Sequence, residues 1–347
     1  MLAIGRRWAE AGHRVQVITR PIAGKPPTES IDGVQVRRSI RTTNLGPMFG
    51  LTFLHSLHQS LKRYACADDV VLAAQGLWES VATGRFSRIA QRPITLARIA
   101  TTAGCGELSL LRGAKGSALW RKWFLQNRGF LALSAEAYDE LVEFGAVQSS
   151  IHRVTNGVDY LRFFGKVGTD RPRVVLFVGR LAPQKNPRML IDAWLLACQS
   201  DWRLRIVGDG PMRDELMRLV DARSLSNVEF VGTSQQMPEI YRDASVFLLP
   251  SVGEGCCNAL LESMAAGLCP IVSDIGGNRE IIAHNCNGLL VPPHDANQVS
   301  ERLKLVMNST ELRTTLARNA QAAVQSKHDL DRVAQQYLDL FEHLRCD

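Results

Sequence analysis

Short apolar runs rich in β-branched residues alternate with longer stretches of helical spacing along the whole chain. Twelve runs have the composition of buried strands: Val15–Thr19, Val34–Val36, Val70–Ala74, Ile94–Ala100, Phe130–Ser134, Ile151–Thr155, Arg173–Val178, Leu204–Val207, Val228–Val231, Val246–Leu249, Pro270–Ser273 and Gly288–Val291. Strands that alternate with helices predict parallel sheets covered by helices on both faces. Twelve strands are too many for one open sheet, so we expect an α/β protein with two doubly wound domains.

The pattern breaks near its middle, where glycine, charged residues and proline interrupt it over residues 165–172. We therefore expect a first domain over residues 1–168 and a second over residues 169–327. Residues 328–347 carry apolar side chains at helical spacing up to Leu344 and predict a terminal helix.

The beginning of the chain departs from the doubly wound plan. Such a domain opens with a strand and a glycine-rich turn before its first helix. This sequence begins with the helical stretch Leu2–Ala11 and reaches its first strand at His13–Thr19. We expect the first strand and its loop to be absent, through a misplaced start codon, a fragment or a natural short form.

Apolar runs, cysteine spacing and charge distribution predict a cytoplasmic chain with an anionic partner. No window contains eighteen consecutive apolar residues, and Arg6, Arg7 and Glu10 interrupt the first apolar stretch, so neither a spanning helix nor a signal peptide is expected. Eight scattered cysteines without a zinc-like spacing fit a reducing, cytoplasmic setting and no structural metal. Residues 1–170 hold 22 Lys and Arg against 13 Asp and Glu, whereas residues 171–347 hold 19 against 21. The basic first half suggests an anionic partner: nucleic acid, a phosphorylated substrate or an anionic lipid.

The most basic segment of the first half is residues 112–130, which hold five cations, no acid, and the aromatic residues Trp120, Trp123 and Phe124. A helix lying on an anionic membrane, on the inner face of the plasma membrane, would have this composition. A helix packed on the sheet with solvated charges would have it too, and both interpretations stay open. No recognised nucleic-acid module accompanies the segment, so we expect no nucleic-acid partner.

Two strand ends in the second half carry groups suited to a diphosphate. The buried strand after Val174 runs into Gly179, Arg180 and, five residues later, Lys185. A fork-shaped cation beside a point cation at the carboxyl end of a strand suits a diphosphate, although two solvated surface charges would look the same. The strand Leu204–Val207 is followed by Gly208, which predicts a tight turn near a nucleotide or simply a turn.

The segment Pro250–Gly267 places two acids around a helix start. Glu254 lies in the turn after a strand, and Glu262 follows eight residues later within a helix. The residues between them, 255–258, form the predicted N-terminus, whose free N–H groups can bind an anion. Two acids so spaced can bind different hydroxyls of one elongated ligand. The alternative is that Glu262 is a helix-surface charge and Glu254 a turn residue.

These segments carry a family resemblance when they are taken together. FVGRL followed by a lysine, IVGDGP, NVEFVG, the Glu254/Glu262 pair, IVSDIGGNREII and NGLLVPPHD resemble retaining glycosyltransferases of the GT-B fold, specifically the large family 4. The resemblance covers nearly the whole chain and is strongest over residues 151–295. It implies two Rossmann-like domains that face each other across a cleft, with the C-terminal helix packing back on the first domain.

The resemblance also implies roles for individual residues. Arg180 and Lys185 would stabilise the departing diphosphate, Glu262 would accept hydrogen bonds from the ribose, and Glu254 would face the donor sugar as the third catalytic residue. The implied donor-binding residues are Gly179, Arg180, Lys185, Gly208, Ser234, Gln236, Glu254, Gly255, Cys256, Cys257, Asn258 and Glu262. Ser234 and Gln236 would lie near the base.

The implied reaction moves a sugar from a nucleotide-diphosphate donor to a glycan or lipid-linked acceptor, with retention, in bacterial envelope or exopolysaccharide synthesis. Preorganised cations and amides can stabilise the leaving diphosphate, so we expect no cofactor and no essential metal. The family's amino-terminal glycine loop has no counterpart, and Thr101 and Thr102 stand where the family often has a histidine. An inactive or truncated GT-B protein that binds nucleotide sugar or supports a partner is therefore the alternative.

Overall fold

The computed structural model describes residues 1–43, 48–88, 93–102, 106–197 and 200–346. The chain divides into two compact units, Met1–Thr155 with Asp331–Asp347, and Asn156–Leu330. The division comes earlier than the sequence boundary at 168/169 because the short helix α7 (Tyr160–Phe163) packs against helices of the second unit.

The first unit contains seven helices and seven strands in its described residues. Its helices are α1 (Leu2–Glu10), α2 (Met48–Tyr64), α3 (Trp78–Ser87), α4 (Glu107–Gly113), α5 (Ser117–Phe124), α6 (Ala135–Phe144) and the terminal α15 (Leu330–Cys346). Its strands are β1 (Gln16–Ile18), β2 (Thr28–Ile31), β3 (Val34–Arg37), β4 (Val70–Ala73), β5 (Ile94–Ile99), β6 (Gly129–Ala132) and β7 (Ile151–Arg153).

The strands of the first unit form two sheets. One is the three-stranded sheet β1-β3-β2, and the other is the parallel four-stranded sheet β4-β5-β6-β7. Strand β2 pairs antiparallel with β3 and was not expected from the sequence, because three of its four residues, TESI, are polar and only Ile31 is apolar.

The terminal helix α15 contacts the first helix of the chain within this unit. Trp8 donates its indole N–H to the carbonyl of Ala334 over 2.9 Å, and its ring lies 5.9 Å from that of Tyr337 and 5.4 Å from that of Phe341. These contacts explain why residues from Asp331 onward cluster with the first unit.

The second unit is built on one parallel sheet. Its strands are β8 (Val174–Val178), β9 (Arg203–Val207), β10 (Val228–Gly232), β11 (Val246–Leu249), β12 (Cys269–Ser273) and β13 (Leu289–Val291). Its other helices are α8 (Pro187–Ala197), α9 (Arg213–Ala222), α10 (Met237–Arg242), α11 (Asn258–Ala265), α12 (Gly276–Arg279), α13 (Ala296–Asn308) and α14 (Thr310–Lys327). Strands β8, β11 and β12 are buried along nearly their whole length, as parallel strands covered on both faces are.

The strand order of this sheet locates the ligand edge. The order is β10-β9-β8-β11-β12-β13, so the chain moves outward in one direction from β8 and in the other from β11. This is the doubly wound order, and its topological switch point lies between β8 and β11. In open α/β sheets ligands bind outside the carboxyl ends of the strands at such a point.

Two further sequence expectations can be compared with the described residues. Six cysteines are free, Cys66, Cys256, Cys257, Cys269, Cys286 and Cys346, whereas Cys105 and Cys198 lie outside the described residues. No helix in the described part of the chain is long and apolar enough to cross a membrane.

Candidate functional site

The candidate site is formed by the two loops that leave β8 and β11 at the switch point. Phe247 pairs with Leu176, so the two strands end side by side, β8 at Val178 and β11 at Leu249. Gln184 binds the second loop twice: its carbonyl accepts from Val252 N–H over 2.9 Å, and its amide donates to Gly253 over 2.9 Å. The first loop therefore holds the second in place.

Lys185 and Glu254 form an ion pair between these loops. The ammonium of Lys185 donates to Glu254 Oε1, and the two side chains are only 18% and 9% exposed. Burial opposes the charge on Lys185, but interactions with Cys257 and Glu254 outweigh it and raise the pKa of the lysine. An ammonium has three N–H donors, so Lys185 can contact a phosphate oxygen while it remains paired with Glu254.

Arg180 is exposed, unlike Lys185, and two glycines, Gly179 and Gly208, bring the neighbouring turns close together. Arg180 is exposed at the carboxyl end of β8. A side chain at Gly179 would meet the methylene groups of Lys185 at 3.6 Å, so the lysine extends over that glycine. Gly208 has φ +131°, and a Cβ there would lie 2.0 Å from the carbonyl oxygen of Gly179. The two turns approach each other through their backbones, which explains why Gly208 is a glycine.

The N-terminus of α11 lies next to this pair. The helix begins at Asn258, and its N-cap Cys257 makes no capping hydrogen bond through its side chain. The first-turn N–H groups therefore have no intrahelical acceptor, as an anion site requires. Asn156 donates to the carbonyl of Cys256 and to Asn258 Oδ1, each over 2.9 Å. Asn258 is exposed, and since its oxygen is already bound, its amide N–H groups are the part of the side chain that could donate to a ligand.

Glu262 lies further along the same helix and is held from the side. Its Oε2 accepts a hydrogen bond from the hydroxyl of Tyr241, on α10, over 2.9 Å. Burial raises the pKa of Glu262, and the hydrogen bond from Tyr241 and the charge of Arg162 oppose that shift. The carboxyl group is thus a half-buried acceptor rather than a freely solvated helix charge.

The two residues expected near the base lie in a turn. Ser234 Oγ accepts a hydrogen bond from the backbone N–H of Gln236 over 3.0 Å. Gln236 is the N-cap residue of α10 and is exposed. The structure accounts for Ser234 as a turn residue, and its role toward a base stays a prediction.

Four contributors to the site were not assigned from the sequence: Gln184, Tyr241, Asn156 and Gly277. A Cβ on Gly277 would lie 2.2 Å from the carbonyl oxygen of Glu254 and 2.4 Å from that of Gly255, so the backbone of α12 packs directly on the Glu254 loop. The sequence signal at this position is the Gly-Gly dipeptide, which predicts a turn or loop but does not indicate which segment packs on it.

The basic segment 112–130 is packed in the core on one side and exposed on the other, and its contact with a membrane stays a prediction. Trp120 and Trp123 are half-buried and pack edge to face at 5.3 Å, with the guanidinium of Arg85 over Trp123 at 4.4 Å. Leu110 and Leu119 are 54% and 44% exposed. Lys115 and Lys122 are exposed beside them in the chain. The tryptophans belong to the core of the unit, whereas apolar and basic side chains around them face outward.

Comparison with known families defines the class. The model of Glycosyltransferase Family 4 matches residues 1–162, and the model of glycosyl transferases group 1 matches residues 162–323. The two matches meet end to end, and the chain belongs to the glycosyltransferase family that they describe.

Two curated relatives each match about half of the chain. An exopolysaccharide phosphotransferase of Streptomyces coelicolor is 35% identical over 177 residues, which are 50% of this chain and 19% of that protein. An α-1,4-N-acetyl-D-galactosaminyltransferase of Campylobacter jejuni, named for a diphospho-undecaprenol-linked substrate, is 30% identical over 180 residues, 51% of this chain and 50% of that protein. The chain spans half the length, or less, of these two relatives.

A solved structure matches almost the whole fold. Anabaena Alr3699/HepE, crystallised in complex with UDP and glucose, gives a TM-score of 0.79 at 19% identity, covering 98% of this chain and 94% of that one. The predicted GT-B fold is thereby confirmed.

Proposed function

We propose that this protein is a retaining glycosyltransferase that moves a sugar from a nucleotide-diphosphate donor to a glycan or lipid-linked acceptor. The observation that carries the proposal is the Lys185–Glu254 pair beside the N-terminus of α11 at the switch point of a doubly wound sheet. A cation, a carboxylate and the N-terminal amides of a helix meet at the edge where such sheets bind ligands. The bound UDP and glucose of HepE support a donor of this type.

The proposed chemistry follows from where charge develops. As the bond between the anomeric carbon and the diphosphate breaks, negative charge builds on the leaving phosphate. Arg180, Lys185 and the first amides of α11 stabilise that charge because they are fixed before the reaction. Glu254 faces the anomeric carbon, where positive charge develops. The acceptor oxygen attacks from the same face, and its proton passes to the departing phosphate oxygen, so the configuration is retained without a metal.

The acceptor and setting are inferred from relatives. One of the two curated relatives is named for exopolysaccharide and the other for a lipid-diphosphate-linked glycan. We therefore propose that this chain acts in bacterial envelope or exopolysaccharide synthesis, at the cytoplasmic face of the membrane.

The first test combines donor binding with transfer. Thermal unfolding is followed with UDP, GDP, ADP and their sugar conjugates in the presence of a chelator, since a ligand of the folded state raises the melting temperature. Glu254→Gln is expected to fold and to bind nucleotide but to lose transfer by about 100-fold or more, because a group aligned with developing charge contributes several kcal/mol. Glu239→Gln, an exposed pair member on α10, is the matched control. Equal transfer by both variants would remove Glu254 from the mechanism, and nucleotide binding without transfer by the wild type would favour the inactive alternative.

We also propose that the surface around α5 contacts an anionic membrane. The exposed Leu119, Lys115 and Lys122 supply the apolar and basic groups that such a surface uses. Lys115→Glu with Lys122→Glu is expected to abolish sedimentation with vesicles containing anionic phospholipid. Lys25→Glu with Lys62→Glu has the same charge change outside this segment and is the control. Binding to neutral vesicles at equal strength would contradict the proposal.

A further inference from the structure

Tyr241 holds the carboxyl group of Glu262 from inside the second unit. The tyrosine is 0% exposed, and its hydroxyl lies 2.9 Å from Glu262 Oε2 and 3.3 Å from the carbonyl oxygen of Ala259. Burial, reinforced by the neighbouring Glu262, raises the pKa of Tyr241 well above its ordinary value. The phenol therefore stays protonated and has one hydrogen to donate, and the shorter contact is the one to the carboxylate.

The ring of Tyr241 is fixed on both sides. It packs edge to face on Phe163 of α7 at 5.7 Å and lies 6.4 Å from Phe247 of β11. Arg171 donates to the backbone carbonyls of Tyr241 and Arg242 over 2.9 and 3.1 Å, and so anchors the C-terminal end of α10. These contacts hold the hydroxyl of Tyr241 in one position, and its hydrogen bond therefore fixes the position of the Glu262 carboxyl group.

The hydrogen bond from Tyr241 occupies one carboxyl oxygen of Glu262 and leaves the other for a ligand. Oε2 is bound by Tyr241. Oε1 accepts no hydrogen bond from the residues that the structure describes, and Glu262 is only half-buried. One oxygen thus faces inward to a fixed donor and the other is available to hydroxyl groups of a ligand.

We propose that Tyr241 is a positioning residue that aims Glu262 Oε1 at the ribose hydroxyls of the donor and thereby sets the preference for a ribonucleotide. The proposal rests on the proposed function, because it assumes that Glu262 accepts from the donor ribose. A free carboxylate on a helix would sample several rotamers, and ordering it on binding costs free energy. Tyr241 fixes the rotamer in advance.

A purely structural role for Tyr241 gives a different expectation. If the phenol only satisfied buried polar groups, its loss would weaken the fold and the binding of every ligand of the site alike. If it positions Glu262, its loss weakens only ligands that carry the hydroxyl accepted by Oε1. Comparing the loss of affinity for ligands with and without that hydroxyl therefore distinguishes the structural role from the positioning role.

The experiment measures the affinity of whichever of UDP, GDP and ADP binds, together with its 2′-deoxy and 3′-deoxy forms, by calorimetry. Tyr241→Phe is expected to weaken the ribonucleotide about tenfold, within the range for a hydrogen bond to a charged group. It should change by less than twofold the analogue that lacks the accepted hydroxyl. In a Glu262→Gln background, Tyr241→Phe should cause no further tenfold loss.

The control is Tyr160→Phe, since Tyr160 is a nearly buried tyrosine of the same unit whose hydroxyl has no recorded hydrogen bond in the described residues. It should leave all affinities unchanged. Equal losses for the ribonucleotide and both deoxy analogues would overturn the role of Tyr241 and leave the proposed function standing. Failure of the wild type to bind any of the three nucleotides would overturn the proposed function and this inference with it.

Discussion

Adding one methyl group at Gly277 should disable the site without unfolding the protein. Gly277 lies in α12, is buried, and packs its backbone on the loop that carries Glu254. A Cβ at this position would lie 2.2 Å from the carbonyl oxygen of Glu254, whereas real Cβ atoms essentially never come within 3.0 Å of another atom. The two distances differ by 0.8 Å, so the loop or the helix must move by about that amount.

The size of this shift sets the expected effects. A displacement of about 1 Å of a catalytic group can cost about 100-fold in rate, whereas a small overpacking of a tight site costs about 1–3 kcal/mol of stability. We therefore expect Gly277→Ala to remain folded, with a moderately lower melting temperature, and to lose transfer activity by about two orders of magnitude. Only backbone atoms oppose the new methyl group, so no flexible side chain can turn away to make room.

The assay follows nucleotide release from the sugar donor, with the melting temperature measured in parallel. Gly168→Ala is the matched control, because a Cβ at Gly168 meets no atom within 4 Å and its backbone has no positive φ. That variant should be neutral or slightly stabilised, as the unfolded chain loses entropy. A Gly277→Ala protein that transfers sugar within twofold of the wild-type rate would refute the idea that α12 fixes the Glu254 loop.

Two further predictions concern the support of the site and its pH dependence. Arg171 donates to five backbone carbonyls, those of Lys166, Tyr241, Arg242, Ala244 and Ala266. Since lysine has only three N–H donors, Arg171→Lys should lower the free energy of unfolding by about 2–4 kcal/mol in denaturant titrations. Arg173→Lys, at an exposed ion pair, should change the free energy of unfolding little. If both variants lower it equally, the stability does not depend on the number of N–H donors at position 171. The pKa of Glu262 is raised by burial, and under the proposed function it is the carboxylate form that accepts a hydrogen bond from the ribose. Nucleotide-sugar affinity should therefore fall, as pH is lowered, at a higher pH than an ordinary glutamate would give. Glu262→Gln should remove this dependence in pH-series titrations; the same pH profile in that variant would contradict it.

The fold was readable from the sequence where the signal is local. Each of the twelve apolar runs overlaps a strand, because buried parallel strands require continuous β-branched and aliphatic residues. The helix α14 was not predicted, since only two of its five buried residues, Leu316 and Val324, are large and apolar, and the other three are Arg313, Ala317 and Ala320. Alanine contributes little to an apolar periodicity, although Ser309 caps the helix as such residues do.

The supporting contacts of the site could not be read in the same way. Tyr241 and Glu262 are 21 positions apart, and Asn156 and Asn258 are 102 apart. No period or motif links residues over such distances, and each by itself has an ordinary polar side chain. They meet because a doubly wound sheet brings the carboxyl ends of its strands to one edge, and only the folded chain shows which side chains fill that edge.

The ion pair between Lys185 and Glu254 changes how the effect of a mutation at either residue is interpreted. The sequence suggested separate tasks, a cation for the diphosphate and an acid for the sugar. In the structure they are one buried ion pair, and a charge left alone in such a place is strongly unfavourable. Removing either residue therefore also alters the charge state or position of the other. A loss of activity in one single variant therefore does not by itself assign that residue a chemical role. The role is assigned by a double-mutant cycle, in which the activity losses of the two single variants are compared with the loss when both residues are replaced.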